Sequence, residues 1–300
     1  MTLKQLEAFY WAATCASFAT AAQRLNLSIS SLSKRIAELE ASLGVPLFDR
    51  SGHKATLSAA GHNILDKSLG ILDLAADLRS SATGDKSLLA GHCALGVGEL
   101  AAMSWLPRLV ATARLRHPRL LMETSIDVGA RLEERLDQGE LDFIVVAGRS
   151  SRATILSQPI VEAQFLWMAA PSLANEGSSC SALLDRGIPL VALPAQAGTT
   201  RLIDDWLMAH HITRAERLTC NNWGAIVGML TLAVGVGIVP AGWADRLEQK
   251  GQLRRLETES LLSPFAYSFQ WRRGDTRPLV DEMCALVGEV ADFSQPVIFA

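Results

Sequence analysis

The sequence predicts an α/β protein in three parts: a winged helix-turn-helix over residues 1–60, a long linker helix and hinge over 58–86, and a two-subdomain domain over 87–300. Three observations carry this. Two short helical segments break at Asn26-Leu27 and are followed by two extended runs around a basic, glycine-containing turn. An apolar seam then runs at helical spacing from Ser58 to about residue 83. From Gly91 onward, short apolar strands alternate with amphipathic helices. A chain of 300 residues with 49% hydrophobic and 20% charged residues has material for more than one core.

The first helix of the pair covers 18–25 and the second starts after Ser28, a side chain suited to accept from the exposed N–H groups of the first turn. In the second helix Leu32, Ile36 and Leu39 share one face, with Ile29 at its edge. The opposite face holds Ser30, Lys34 and Ala37, flanked by Ser31 and Glu38. These side chains are short, polar or basic, so the helix can enter a major groove about 12 Å wide. Gly44 is a helix stop. The run from Val45 to Arg50 reads as a strand and Ala55-Thr56-Leu57 as its return, which makes a wing. Arg50, His53 and Lys54 sit where a wing meets phosphates, contacts that give affinity with little sequence information.

Net charge supports this division. The whole chain carries −3, but residues 1–60 hold six Lys and Arg against four acids, a local +2. So modest a charge implies binding as a dimer or larger assembly that pools contacts over two half-sites.

Several motifs in one order resemble the N-terminal domain of the LysR-type transcriptional regulators: Leu3 to Phe9, Ser17 to Ala22, Leu32 to Glu40, Leu43 to Arg50 and Leu57 to Gly61. The resemblance implies a regulator of promoter DNA, with Ile29, Ser30, Ser33 and Lys34 at DNA-reading positions, Thr20 at a backbone contact and Arg50 to Lys54 in the wing. The family often has Gln and Pro where this chain has Ile29 and Ser30. An apolar Ile29 makes no hydrogen bond to a base edge, although it can touch a thymine methyl.

Ser58 can cap the third long segment, in which Leu65, Leu69, Leu72, Ala76 and Arg79 advance by four and three. This heptad-like seam predicts a dimer contact through Leu65, Leu69 and Leu72. The resemblance likewise makes the helix a linker that pairs two chains and implies four copies in all. Residues 80–86 then form the hinge.

In the large domain strands are expected at 92–97, 120–126 and 141–146, with helices at 104–116 and 131–138; a second set of units follows from Phe165. That set has strands at 165–169, 190–193, 218–220 and 238–239, and helices at 201–210 and 223–234. Residues 265–271 can return to the first sheet, with a closing helix over 277–290. Subdomain I covers about 87–161 and 266–300, and subdomain II about 162–265. Two subdomains with two crossovers form a cleft, the layout of a periplasmic-binding-protein-like (Rossmann-like) effector domain. Gly139 to Asp142 and Ala233 to Pro240 resemble the matching segments of the LysR-type effector domain.

By that resemblance the cleft is lined by Glu99, Leu100 and Ala101, by Gly129 and Ala130, by Gly198, Thr199, Thr200 and Arg201, and by Asn222. Many family members carry hydroxyls in place of Glu99 and Gly129. Here an acid faces any bound anion, so Glu99 and Arg201 together suit a ligand with one donor and one carboxylate, such as an amino acid or a hydroxy acid. The partners expected are double-stranded promoter DNA, a small-molecule effector and further copies of the chain; RNA polymerase is open as a fourth.

Enzyme motifs are absent. There is no G-x-S-x-G elbow, Walker loop or H-E-x-x-H, and Gly235-Val236-Gly237 follows a helix and precedes a strand, the reverse of a dinucleotide fingerprint. Those glycines are expected to allow a tight helix-to-strand turn. His210-His211 has no third ligand at useful spacing, so no metal and no cofactor are expected. Five scattered cysteines give neither a disulfide framework nor a zinc site; Cys180 with Cys220 is the pair a cysteine-based redox sensor would use. No apolar stretch is long enough to span a membrane, and the expected location is the cytoplasm. Besides the redox sensor, a small-molecule binding protein without DNA function is the remaining alternative.

Overall fold

In the computed structural model, residues 1–50, 55–83, 89–175, 177–195 and 197–294 are described. His53 and Lys54, expected in the wing, lie outside them, as does the end of the hinge.

Three helices open the chain: α1 (Leu3–Thr14), α2 (Phe18–Arg24) and α3 (Ile29–Leu43). Each starts on a hydroxyl that accepts from its first turn: Thr2 from Gln5 N–H, Ser17 from Thr20 N–H, and Ser28 from Ser31 N–H. Asn26 turns the chain between α2 and α3 with φ 51°, a conformation Asn tolerates better than most residues. α3 ends at Gly44 with φ 72°. Leu32, Ile36 and Leu39 are fully buried against Leu6, Phe9, Leu47 and Phe48, as their spacing predicts. The Phe48 ring packs edge-on against Phe9 and Phe18, at 5.8 and 5.1 Å between centroids. The wing is a short ribbon, β1 (Phe48–Asp49) with antiparallel β2 (Thr56–Leu57). Glu40 holds its base, accepting from the N–H groups of Leu47 and Phe48 at 2.7 and 3.1 Å.

The linker is α4 (Ala59–Thr83), capped by Ser58, whose hydroxyl accepts from Gly61 N–H at 3.0 Å. Its seam does not face outward as expected. Leu65 and Leu72 pack on the winged domain's own core, and Leu69 is buried. Among the described residues of the helix, the large apolar side chains left in solvent are Ile71, Leu74 and Leu78.

The large domain holds two five-stranded sheets. The first is ordered β4 (Arg119–Ile126), β3 (Ala90–Val97), β5 (Phe143–Ala147), β12 (Phe265–Arg272), β6 (Ile155–Ala163). The second is ordered β11 (Arg254–Arg255), β7 (Phe165–Ala169), β10 (Val236–Pro240), β8 (Leu190–Ala192), β9 (Arg217–Thr219). In each, three parallel strands in the order second, first, third are joined by an antiparallel strand, β12 in one and β7 in the other. The chain leaves the first sheet between β6 and β7 and returns at β12, which gives the two crossovers expected. Around the first sheet lie α5 (Glu99–Ser104), α6 (Leu106–Arg116), α7 (Gly129–Asp137) and α12 (Pro278–Val290); around the second lie α8 (Cys180–Asp185), α9 (Gly198–Ala209), α10 (Trp223–Thr231) and α11 (Ala241–Gln249).

Strand β6 is missing from the expected elements because Pro159 breaks its pattern. It tolerates Pro159 by lying at the sheet edge, beside a register shift at Tyr267/Ser268. Gly235, just before β10, and Gly237 within it also do something other than turn the chain. The turn is made at Ala233, φ 61°, whereas a Cβ at Gly235 would lie 2.3 Å from the Pro189 carbonyl oxygen, and one at Gly237 2.6 Å from that of Val191. They let β10 approach the β8 backbone.

Candidate DNA-reading helix and effector cleft

Burying Leu32, Ile36 and Leu39 turns the other face of α3 outward, so that Ile29, Ser30, Lys34, Ala37 and Glu38 are exposed and Ser33 is half-buried. Ile29 is 53% exposed, so its side chain is open to a partner on this face. Thr20, near the start of α2, shares a hydrogen bond with Ser17 at 3.0 Å between hydroxyls. Arg50 at the end of β1 reaches Glu40 at 3.5 Å and is half exposed, leaving guanidinium N–H groups for a phosphate. Ile29, Ser30, Ser33 and Lys34 thus lie together on one capped helix, α3.

The second site is a cleft of about 740 Å³ between the two sheets. Its walls come from the carboxyl ends of the strands: Gly98 and Glu99 after β3, Asp127 to Gly129 after β4, Val146 and Ala147 in β5, Leu193 and Pro194 after β8, and Asn221 to Gly224 after β9. Each sheet reverses its strand order there, which leaves a crevice that no connection covers. Of the residues expected to line it, Glu99, Leu100, Gly129, Gly198, Thr199 and Asn222 do so, whereas Ala130 does not. Ala101 is fully buried behind them, and Thr200 turns inward to donate to the carbonyl oxygens of Leu193 and Pro194 at 3.1 and 2.9 Å. Arg201 is exposed and outside the lining, so the expected pairing of Glu99 with Arg201 across the cleft is not formed. The reason is helical phase: one residue past Thr200, the side chain points away from the face that packs on the sheet. Met103, Trp223 and Tyr267 line the cleft without having been expected. Tyr267 belongs to the returning strand β12, which no local motif marks.

Glu99 instead reaches the opposite lobe. Its Oε1 accepts from Asn222 Nδ2 at 2.5 Å and its Oε2 from the Trp223 N–H at 2.9 Å. Asn222 is the N-cap of α10, its own oxygen accepting from Ala225 N–H at 2.8 Å. Burial pushes the Glu99 carboxyl up, while the Trp223 N–H and the Asn222 amide favour its charged form.

Of the cysteine pair, Cys180 is wholly buried in α8, where burial pushes its thiol up, and Cys220 is half-buried beyond β9. That environment disfavours a thiolate at Cys180. His210 stacks on Trp206 at 4.1 Å, and its Nδ1 is 2.8 Å from the Trp206 carbonyl oxygen.

A winged helix with an open reading face, tied by a long helix to a two-lobed binding domain, defines a ligand-responsive DNA-binding protein. Residues 3–62 match the family described as bacterial regulatory helix-turn-helix protein, lysR family, and residues 86–292 match the LysR substrate binding domain. The chain belongs to the LysR family of DNA-binding transcriptional regulators. It is 26% identical over 298 residues to the Hca operon transcriptional activator HcaR of Escherichia coli (strain K12), covering 96% of this chain and 98% of that one. It is 24% identical over 271 residues to the uncharacterized HTH-type transcriptional regulator YusT of Bacillus subtilis (strain 168), covering 89% and 88%. Among solved structures it resembles a full-length OxyR variant from Pseudomonas aeruginosa, with TM-score 0.62, 21% identity and coverage of 98% and 100%. It also resembles HinK, a LysR family regulator from Pseudomonas aeruginosa, with TM-score 0.58, 20% identity and coverage of 96% and 98%. No helix among the described residues is long and apolar enough to cross a membrane.

Proposed function

We propose that the chain reads promoter DNA in the cytoplasm with Ile29, Ser30, Ser33 and Lys34 on base edges and with Thr20, Arg50, His53 and Lys54 on the backbone. A small molecule in the cleft biases the spacing of the reading helices. The exposed face of α3 supports this most directly: short, polar or basic side chains are open to solvent on a helix whose opposite face is fully buried. The protein acts as a regulator, not as an enzyme, and needs no cofactor.

Assembly runs through α4, as for a linker that pairs two chains. Its contact face is Ile71, Leu74 and Leu78, which the fold leaves in solvent, in place of Leu65, Leu69 and Leu72, which it covers or buries. Pairs of dimers would place four reading helices on one promoter, and RNA polymerase is a natural further partner of such an assembly.

Selection from a random double-stranded DNA pool with the full-length chain tests the reading. A two-fold symmetric enriched sequence is expected, with half-sites about one helical turn or a multiple apart. Recovery of unenriched DNA would sink it. A redox reading has less support, because Cys180 is buried.

A further inference from the structure

The expectation of an amino acid or a hydroxy acid needed a cation in the cleft, and Arg201 is not there. Among the described residues that line it, the charged ones are Glu99 and Asp127, both acidic; no Lys, Arg or His joins them. Most of the wall is apolar, with Leu100, Met103, Ile126, Val128, Leu193 and Trp223 among its members.

Glu99 adds a second, independent constraint. The N-terminus of a helix offers free N–H groups and partial positive charge, so the start of α10 is the part of this wall where a ligand carboxylate would be best received. That place is taken. The Trp223 N–H and the Asn222 amide already donate to Glu99, a carboxylate carried across from the other lobe. Asp127 offers no cation in exchange: its Oδ1 accepts from the Val128 N–H at 2.8 Å and lies 3.8 Å from Arg131, whose side chain is 74% exposed.

We propose that this cleft is built for a largely apolar, uncharged or cationic small molecule, and that Glu99, the anion already seated on the N-terminus of α10, is the residue that turns carboxylates away. A hydroxyl or amine of the ligand donates to Glu99 or Asp127, and its apolar body lies against Met103, Leu193 and Trp223. The inference rests on the reading of this cleft as the effector site.

The test uses the full-length chain and two sets of probes. Sodium acetate, compared with sodium chloride at equal ionic strength, should leave the melting temperature of wild type unchanged and raise that of Glu99→Ala, whose vacated helix start can take a small carboxylate. Phenethylamine, 2-phenylethanol and phenylacetate differ in the polar group alone. Wild type should bind the amine or the alcohol at least tenfold tighter than the acid by calorimetry. Glu99→Gln, which keeps the shape and removes the charge, should shrink that preference at least tenfold.

Equal stabilisation of wild type and Glu99→Ala by acetate would overturn the proposal, as would a wild type that prefers phenylacetate. If none of the three aromatic probes binds, the acetate comparison alone decides: a gain confined to Glu99→Ala upholds the proposal, and no gain overturns it. DNA selection reads none of these quantities, so failure of the regulator assignment and failure of this inference remain distinguishable.

Discussion

Arg24 and Asp142, 118 residues apart in the chain, form a buried ion pair that ties the winged domain to the first lobe. The Asp142 carboxylate is wholly inaccessible, and it also accepts from Arg277 Nη2 at 2.5 Å and from the Ala94 N–H at 2.7 Å. Trp11 of α1 carries both guanidinium groups over its ring, at 4.0 and 5.0 Å from the centroid. Beside them Ala16 N–H donates to the Gln138 carbonyl oxygen at 2.9 Å, and Arg24 donates to that of Gly139 at 2.8 Å. A buried carboxylate with two cations is tolerated because every oxygen has partners.

Asp142→Ala should cost roughly 3 to 5 kcal/mol of stability, because it leaves two buried guanidinium groups with one fewer anion. Burial alone would raise the Asp142 carboxyl, but Arg277 and Arg24 outweigh it and hold the group below the usual carboxylate range. A lowered folded value means that the contribution is present above the unfolded value of about 3.9 and is lost as pH falls through the lower folded one. Urea denaturation of wild type and Asp142→Asn should therefore show a stability gap that is full at neutral pH and closes below about pH 4. A gap that does not change with pH would refute the ion-pair account.

Arg24→Ala removes the winged domain's share of this contact while sparing Arg277. Hydrogen exchange should speed up at the Ala16 amide, and at Gly139 and Glu140 to a lesser degree, with the amides of β5 and β12 unchanged. Unchanged exchange at Ala16 would mean that Arg24 does not hold the two domains together.

On DNA, Lys34→Ala and Ser33→Ala should differ in kind. If Lys34 neutralises a phosphate, its loss weakens binding to every sequence and lowers the salt slope by about one; loss of a base-reading hydroxyl costs roughly 1 to 3 kcal/mol on the selected operator alone. Fluorescence anisotropy across a salt series separates the two. Wild-type affinity in both variants would remove α3 from the interface.

Charged substitutions on α4 should sort by face. Leu74→Glu with Leu78→Glu should give folded monomers by light scattering, since these side chains are 69% and 72% exposed in the single chain. Leu65→Glu with Leu72→Glu should instead lower the melting temperature, because that face packs on the winged core. The reverse pattern would return the seam to Leu65 and Leu72.

Gly235→Ala should destabilise the second lobe by roughly 1 to 3 kcal/mol, since the added methyl meets backbone that cannot turn aside. A glycine needed only for turning would show little loss at this position, where φ is not positive.

What the sequence determined by itself is what neighbouring residues decide between them. Ser28 and Gly44 bound α3, and the three- and four-residue steps of Leu32, Ile36 and Leu39 set which face is buried, because capping and helical period act within one or two turns. The α/β alternation was legible for the same reason, and strand β6 was not, because Pro159 hides an edge strand whose partner lies 109 residues away at Ser268. Tertiary structure decided the rest. The spacing of Leu65, Leu69 and Leu72 marks a helix face but carries no information on whether its own domain or a second chain covers it. Glu99 meets Trp223 across 124 residues, and Arg24 meets Asp142 across 118. Such pairings depend on how two sheets and a winged domain settle against one another, and that is fixed by the burial of whole surfaces, which no local pattern records.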